Sequence, residues 1–285
     1  MTTTDSGPVD PTIQRVIDSL LASGVIASCD HQSTLPSTNS TALDWLNTYR
    51  GSERVDAIDT QLPRLVIADS QTAGRGRLGR SWQAQQDGLA CSLVLSGCEE
   101  LLSIAVGVAI AEAIEHLAAP LRCRLKWPND VWINGKKVAG TLIERVDLPS
   151  QDRDRSLVAV VIGIGLNVGS SPKLSESETT SVCEATGKWI TRSAVLSELI
   201  PMVIESVQRC QSDRDECLDA FRRRCVLTGE MIRCLIDGQV LLGRCEGLNL
   251  NGELRIRTES GERVCRSGEV SRVRISTTFI APPNP

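Results

Sequence analysis

The dipeptide Asn134-Gly135 constrains the fold of this chain more than any other feature. Asn-Gly readily takes the two positive-φ positions of a type I′ turn. The flanking runs Val131–Ile133 and Lys137–Arg145 are therefore predicted to form an antiparallel hairpin. Beyond the charged, proline-containing turn Asp147–Ser156, the apolar run Val158–Val168 supplies another strand. Upstream, Arg64–Asp69 and Leu89–Leu95 read as buried strands, and Arg122–Trp127 as a short one ended by Pro128. Apolar spacing predicts helices over Thr12–Leu21, Asn39–Tyr49, Leu101–Ala118, Thr191–Cys210 and Arg214–Arg224. Ser37, Thr38 or Asn39 is placed to cap the second, and Pro201 is a partial break in the fourth. From Val226 the texture changes to short strands (Met231–Ile236, Gln239–Glu246, Glu253–Thr258, Arg263–Cys265 and Val270–Arg274). They are separated by Asp237-Gly238, Asn251-Gly252 and Ser260-Gly261, the pattern of a small β-barrel. The expected class is α+β with a boundary near Arg224: a tail and helix over 1–28, a mixed domain over 29–224, and a barrel with its tail over 225–285.

Composition excludes several functions. The 285 residues carry a net charge of −4, a poor basis for general nucleic-acid binding, which needs a positive surface. No polybasic stretch would recruit an anionic membrane. The longest apolar stretch, Leu101–Ala111, is broken by Ser103 and Gly107 and is too short to span a bilayer. The 11 cysteines are odd in number and include no Cys-x-x-Cys pair, and Met1–Pro11 has no apolar signal core. A reducing, cytoplasmic setting is expected.

Chemistry concentrates in three segments. Gly74-x-Gly76-x-x-Gly79 formally matches a dinucleotide fingerprint, but the loop continues through Ser81–Gly88 where a helix should start, so a nucleotide-dependent oxidoreductase is disfavoured. Its distinctive feature is Arg75, Arg77 and Arg80 interleaved with glycines, planar cations suited to carboxylate or phosphate. The second segment is Lys126-Trp127-Pro128-Asn129-Asp130, a lysine at a strand end before a rigid turn, followed by Trp132 and Lys136-Lys137. Trp82, Trp127 and Trp132 are expected to wall a pocket for a flat ligand. The third is the strand Val161–Val168, interrupted by Gly163 and Gly165 as where a backbone approaches a ligand closely. Taken singly, each has a plain alternative: a solvated basic loop, a surface lysine beside a structural tryptophan, a structural bulge.

Together the segments resemble a known family. Ser37-Thr38-Asn39, the Gln71–Trp82 loop, Lys126–Asp130, Lys137-x-Ala139-Gly140 with Glu144, Gly163-x-Gly165-x-Asn167 and the tail Gly268–Ser271 follow the order of a biotin protein ligase of the biotin–acetyl-CoA-carboxylase ligase type. The resemblance implies a class II synthetase-like catalytic domain of the biotin/lipoate ligase kind, with a mixed sheet flanked by helices and a C-terminal SH3-like barrel. It implies activation of biotin by ATP as biotinyl-5′-AMP, with Mg²⁺ expected, and transfer to a lysine of a biotin carboxyl carrier domain of acetyl-CoA carboxylase or a related carboxylase. Catalysis would fall to Arg75 and Lys126. Biotin would meet Ser37, Thr38, Asn39, Gln71, Gly74, Arg75, Gly76, Arg77, Lys126, Gly163 and Gly165. The adenylate would meet Arg77, Arg80, Trp82, Lys137 and Asn167. The metal ligands are not identified.

Some relatives add an N-terminal winged helix that binds DNA. Only one helix is visible before Ser37, so a monofunctional enzyme that does not bind DNA is expected. A homodimer through an exposed strand edge is compatible with the pattern. The alternatives are a lipoate or octanoate ligase of the same fold and a non-catalytic biotin or nucleotide sensor. Neither His31 nor His116 suggests a triad. Lys126→Ala is expected to raise the barrier to adenylate formation by on the order of 3 kcal/mol, measured by ATP–pyrophosphate exchange.

Overall fold

The computed structural model describes residues 8–50, 56–97, 100–149, 156–173, 178–236, 239–266 and 268–272. The expected turn at Asp237-Gly238, most of the Asp147–Ser156 turn, part of the Ser170–Glu178 loop and the end of the last strand fall outside them. The elements run α1 (Pro11–Ala22), β1 (Ser28–Leu35), α2 (Thr38–Asn47), α3 (Asp56–Asp59), β2 (Arg64–Gln71), β3 (Leu89–Ser96) and α4 (Leu102–Ala118). There follow β4 (Arg124–Lys126), β5 (Asp130–Ile133), β6 (Lys136–Pro149), β7 (Ser156–Leu166), α5 (Val182–Thr186), α6 (Arg192–Ser212) and α7 (Arg214–Arg224). The chain then enters β8 (Met231–Ile236), β9 (Gln239–Leu248), β10 (Leu254–Thr258), β11 (Gly261–Cys265) and β12 (Glu269–Arg272).

The expected hairpin forms: Asn134 at φ 49° and Gly135 at φ 79° join β5 to β6. It lies in a seven-stranded sheet of order β1-β2-β3-β7-β6-β5-β4, antiparallel except for β1 beside β2. The edge strand β1 was not expected. Its sequence, Ser-Cys-Asp-His-Gln-Ser-Thr-Leu, buries only Leu35 and so shows no alternation. Helix α5 was also missed, although Ser181 and Glu184 form a capping box and Gly187 closes it at φ 67°. Helix α6 runs through Pro201 without a break.

Each face of the sheet has its own core. Leu65, Ile67, Leu89, Cys91, Leu93, Ile162 and Ile164 point towards α1, α4, α6 and α7. Val66, Ala68, Val94 and Val161 point the other way, under Ala42 and Leu46 of α2. Helix α2 is short and starts at Thr38, so it leaves part of its face uncovered. A half-buried charged cluster pins the N-terminal segment: Arg192 reaches Asp10 at 2.7 Å and Asp69 at 3.1 Å, and His31 Nδ1 lies 2.9 Å from Gln14 Oε1. Among the described residues no helix is long and apolar enough to cross a membrane.

The last strands form a second antiparallel sheet, β11-β10-β9-β8-β12. The expected closed barrel is met only this far, since no ladder joins β11 to β12 among the described residues. Its inner residues Ile232, Leu254 and Ile256 continue the larger core. Trp127 belongs to that junction, correcting its expected place in a pocket wall: it is 3% exposed and its indole N–H donates to Gly252 O at 2.9 Å. Trp127→Phe would strand a buried carbonyl, and is expected to lower unfolding free energy by about 1–3 kcal/mol in urea denaturation.

Candidate active site

Side chains along one row of a sheet share a face, and two rows build a floor. Lys126, Asp130, Gly140, Gly165, Ala90 and Ala68 are successive register partners across β4, β5, β6, β7, β3 and β2. Leu142, Gly163, Ser92 and Val66 form the next row. Both lie on the α2 face: α2 covers their Val66 and Ala68 ends, and the rest extends beyond its N-terminus. The glycines make room there: a Cβ on Gly163 would collide with the Asn39 amide, and one on Gly165 with the Trp82 ring. The result is a cleft of about 990 Å³ including its mouth.

One wall is the start of α2. Ser37, Thr38 and Asn39 are each less than 5% exposed. Ser37 occupies the cap position, as expected, but its side chain makes no capping bond. Thr38 N–H donates to Gln71 Oε1 at 2.8 Å, and Ser92 Oγ lies 2.8 Å from Thr38 Oγ1 and 2.6 Å from Asn39 Oδ1. Asn39 Nδ2 donates to Glu144 Oε2 at 2.9 Å and Leu142 O at 3.1 Å.

The arginine-glycine loop folds over the cleft as a tight hairpin. Trp82 N–H donates to Gly74 O and Gly76 N–H to Arg80 O, with a bridge between Arg75 and Ser81. Its cations are anchored on the floor strands: Arg75 pairs with Glu144 at 2.6 Å, and Arg77 donates to Asn129 Oδ1 at 3.2 Å. Burial holds the Arg77 pKa below its usual value, partly offset by Asp130. A cation so desolvated gains strongly from an anionic ligand. Lys137 pairs with Asp130 at 2.7 Å, and its ammonium lies 5.6 Å from the Trp82 ring centroid. Trp82 Nε1 and Asn167 Oδ1 are buried without a hydrogen-bond partner, while Asn167 Nδ2 donates to Thr180 O at 3.1 Å.

Of the residues singled out by sequence, Ser37, Thr38, Asn39, Gln71, Arg75, Gly76, Arg77, Arg80, Trp82, Lys137, Gly163, Gly165 and Asn167 all border this cleft. Gly74 does not border it and serves the closure of the loop instead. Lys126 stands on the same sheet face but outside the lining, two strand spacings (about 10 Å) from Gly140. Its ammonium sits 5.2 Å from the ring centroid of Trp132, which likewise does not line the cleft. Sequence reasoning gave no role to Ser92, Asn129, Asp130 or Glu144. Ser92 carried a signal, a lone hydroxyl in the otherwise apolar run Leu89–Leu95, whereas Asp130 and Glu144 stood in the motifs and acquired a role only through the cations they pair with. Gly163→Ala is expected to displace Asn39 and cost about 1–3 kcal/mol of stability in urea unfolding; a change below about 0.5 kcal/mol would contradict the packing.

Comparison with known proteins agrees with this geometry. The sequence profile of the Biotin/lipoate A/B protein ligase family matches residues 37–167. The bifunctional ligase/repressor BirA of Bacillus subtilis is 40% identical over 146 residues, covering 48% of this chain and 43% of that protein, so the match spans less than half of that relative's length. The biotin–acetyl-CoA-carboxylase ligase of Paracoccus denitrificans is 30% identical over 217 residues, 72% of this chain and 88% of that one. The structure of a biotin protein ligase from Aquifex aeolicus in complex with biotin and ATP superposes with a TM-score of 0.70 at 28% identity, covering 86% of this chain and 99% of that one. With sequence and fold related along most of its length, the chain belongs to the biotin/lipoate A/B protein ligase family.

Proposed function

We propose that this protein is an ATP-dependent biotin ligase. The carboxylate oxygen of biotin attacks the α-phosphorus of ATP, the bond to pyrophosphate breaks, and biotinyl-5′-AMP remains. A lysine of a biotin carboxyl carrier domain then attacks the activated carbonyl, loses its proton, and AMP leaves. The observation that carries this reading is the convergence of Arg75, Arg77, Arg80 and Lys137 on a glycine-floored cleft with a neutral polar wall at one end. Two unit negative charges at 4 Å repel by about 4 kcal/mol at an effective dielectric constant of 20. Cations already held in place offset that repulsion without reorganising during the reaction.

In this reading Arg75 and Lys137 hold the carboxylate against the α-phosphate, and Lys126 approaches from the rim. Arg77 and Arg80 cover the adenylate. Ser37, Thr38, Asn39 and Gln71 face the ureido end of biotin, and Gly163 and Gly165 admit the rings. Trp82 lies beside the base, and Asn167 can accept from the adenine amino group through its unpaired Oδ1. Mg²⁺ enters as part of the MgATP substrate. Asp130, which lines the cleft, would be the nearby carboxylate for it, phosphate oxygens would supply further ligands, and the ion would neutralise phosphate charge. We assign catalysis to residues 29–224 and read the second sheet, across which the Cys234 and Cys265 thiols meet at 3.2 Å, as an incompletely closed SH3-like barrel.

The family description covers lipoate as well as biotin, so the deciding experiment uses both acids. Protein incubated with MgATP and biotin should yield biotinyl-AMP by mass spectrometry, whereas lipoate should yield no adenylate. The reverse result, or no adenylate with either acid, would refute the proposal. Arg77→Gly should shorten retention of biotinyl-AMP by about tenfold while slowing its formation less, because the loop loses both a phosphate contact and its anchor on Asn129.

A further inference from the structure

An amide side chain keeps its shape when turned end for end, so its neighbours decide which end donates. For Asn39 that decision is made by Glu144. The groups at 2.9 and 3.1 Å from Asn39 Nδ2 are Glu144 Oε2 and the Leu142 carbonyl, and a carboxylate and a carbonyl can only accept. Asn39 Oδ1 therefore faces Ser92, 2.6 Å away. Ser92 has one proton, and Asn39 takes it. The single proton of Thr38 then goes to Ser92 Oγ at 2.8 Å, with Gln71 Oε1 the second acceptor within reach at 3.3 Å. Thr38 Oγ1 is left with lone pairs only. Next to it, Gln71 Oε1 accepts the Thr38 backbone N–H at 2.8 Å, which turns Gln71 Nε2 outward as a donor.

We propose that Glu144 is a positioning residue that sets the hydrogen-bond polarity of this wall. Through Asn39 and Ser92 it makes Thr38 Oγ1 an acceptor beside a Gln71 Nε2 donor, the complement of the N–H and C=O of a cyclic urea. The proposal rests on the biotin reading and extends it to the origin of selectivity. A carboxylate suits the task because its two oxygens serve two donors at once: Oε1 holds Arg75 at 2.6 Å while Oε2 holds Asn39. One group thus ties the cation for the acid end of the substrate to the wall that reads its neutral end.

The test compares biotin with its cyclic carbamate analogue, in which the urea N–H that faces Thr38 becomes an oxygen, by calorimetric binding and by the KM of adenylate formation. Glu144→Gln offers one acceptor where two donors need one, and frees Asn39 to turn. It should raise the KM for biotin by about tenfold, change that for ATP by less than about twofold, and shrink the preference for biotin over the carbamate by a similar factor of about ten. Ser92→Ala cuts the relay beyond Asn39 while leaving the Arg75–Glu144 pair in place, and should lose the same preference. It also decides the matter if Glu144→Gln does not fold. Parent-like selectivity in Ser92→Ala, with the parent binding biotin tightly, would overturn the relay alone. A parent that binds no biotin would overturn the ligase reading and the relay's substrate with it.

Discussion

Cations gathered over one cleft repel one another, and three of those here, Arg75, Arg77 and Lys137, are held by side-chain partners before a substrate arrives. Glu144 on β6 takes Arg75, Asp130 on β5 takes Lys137, and the Asn129 amide, in the turn before β5, takes Arg77. Each contact lowers the self-energy of a cation, and for Arg75 and Arg77 it also fastens the loop to the sheet side of the cleft. The adenylation chemistry proposed here depends on that arrangement, because preorganised charge is worth most where nothing has to move.

The fold provides the arrangement through an omission. Helix α2 covers the sheet over Val66, Val94 and Val161 but begins only at Thr38, and beyond that first residue Gly140, Gly163 and Gly165 leave the floor without side chains. The same face of the same strands is therefore core at one end and binding site at the other. Asn39, buried at the border, is fully satisfied: it uses both amide hydrogens and its oxygen.

Much of this was legible in the chain. The hairpin at Asn134-Gly135, the strands around it and the apolar helix α4 follow from local rules of turn geometry and apolar period. The cationic loop and the glycine-broken strand stood out by composition. Strand β1 did not, because an edge strand that buries one residue has no pattern to read. Trp127 misled for a related reason: an aromatic ring suits a pocket wall and a core equally well, and the acceptor that decides between them, Gly252 O, lies 125 residues away.

The sequence alone determined which charges and which missing side chains this protein has, and that its central strands must turn back on one another. Those properties are local, written in residue type and near-neighbour spacing. Tertiary structure alone decided which lysine lines the cleft, since Lys126 and Lys137 differ only in how many strands separate them from the glycine floor. It also decided the partner of Arg75: Glu144 lies 69 residues away along the chain, a separation no local pattern specifies. Coulomb energy depends on distance in space, and only the folded sheet sets that distance.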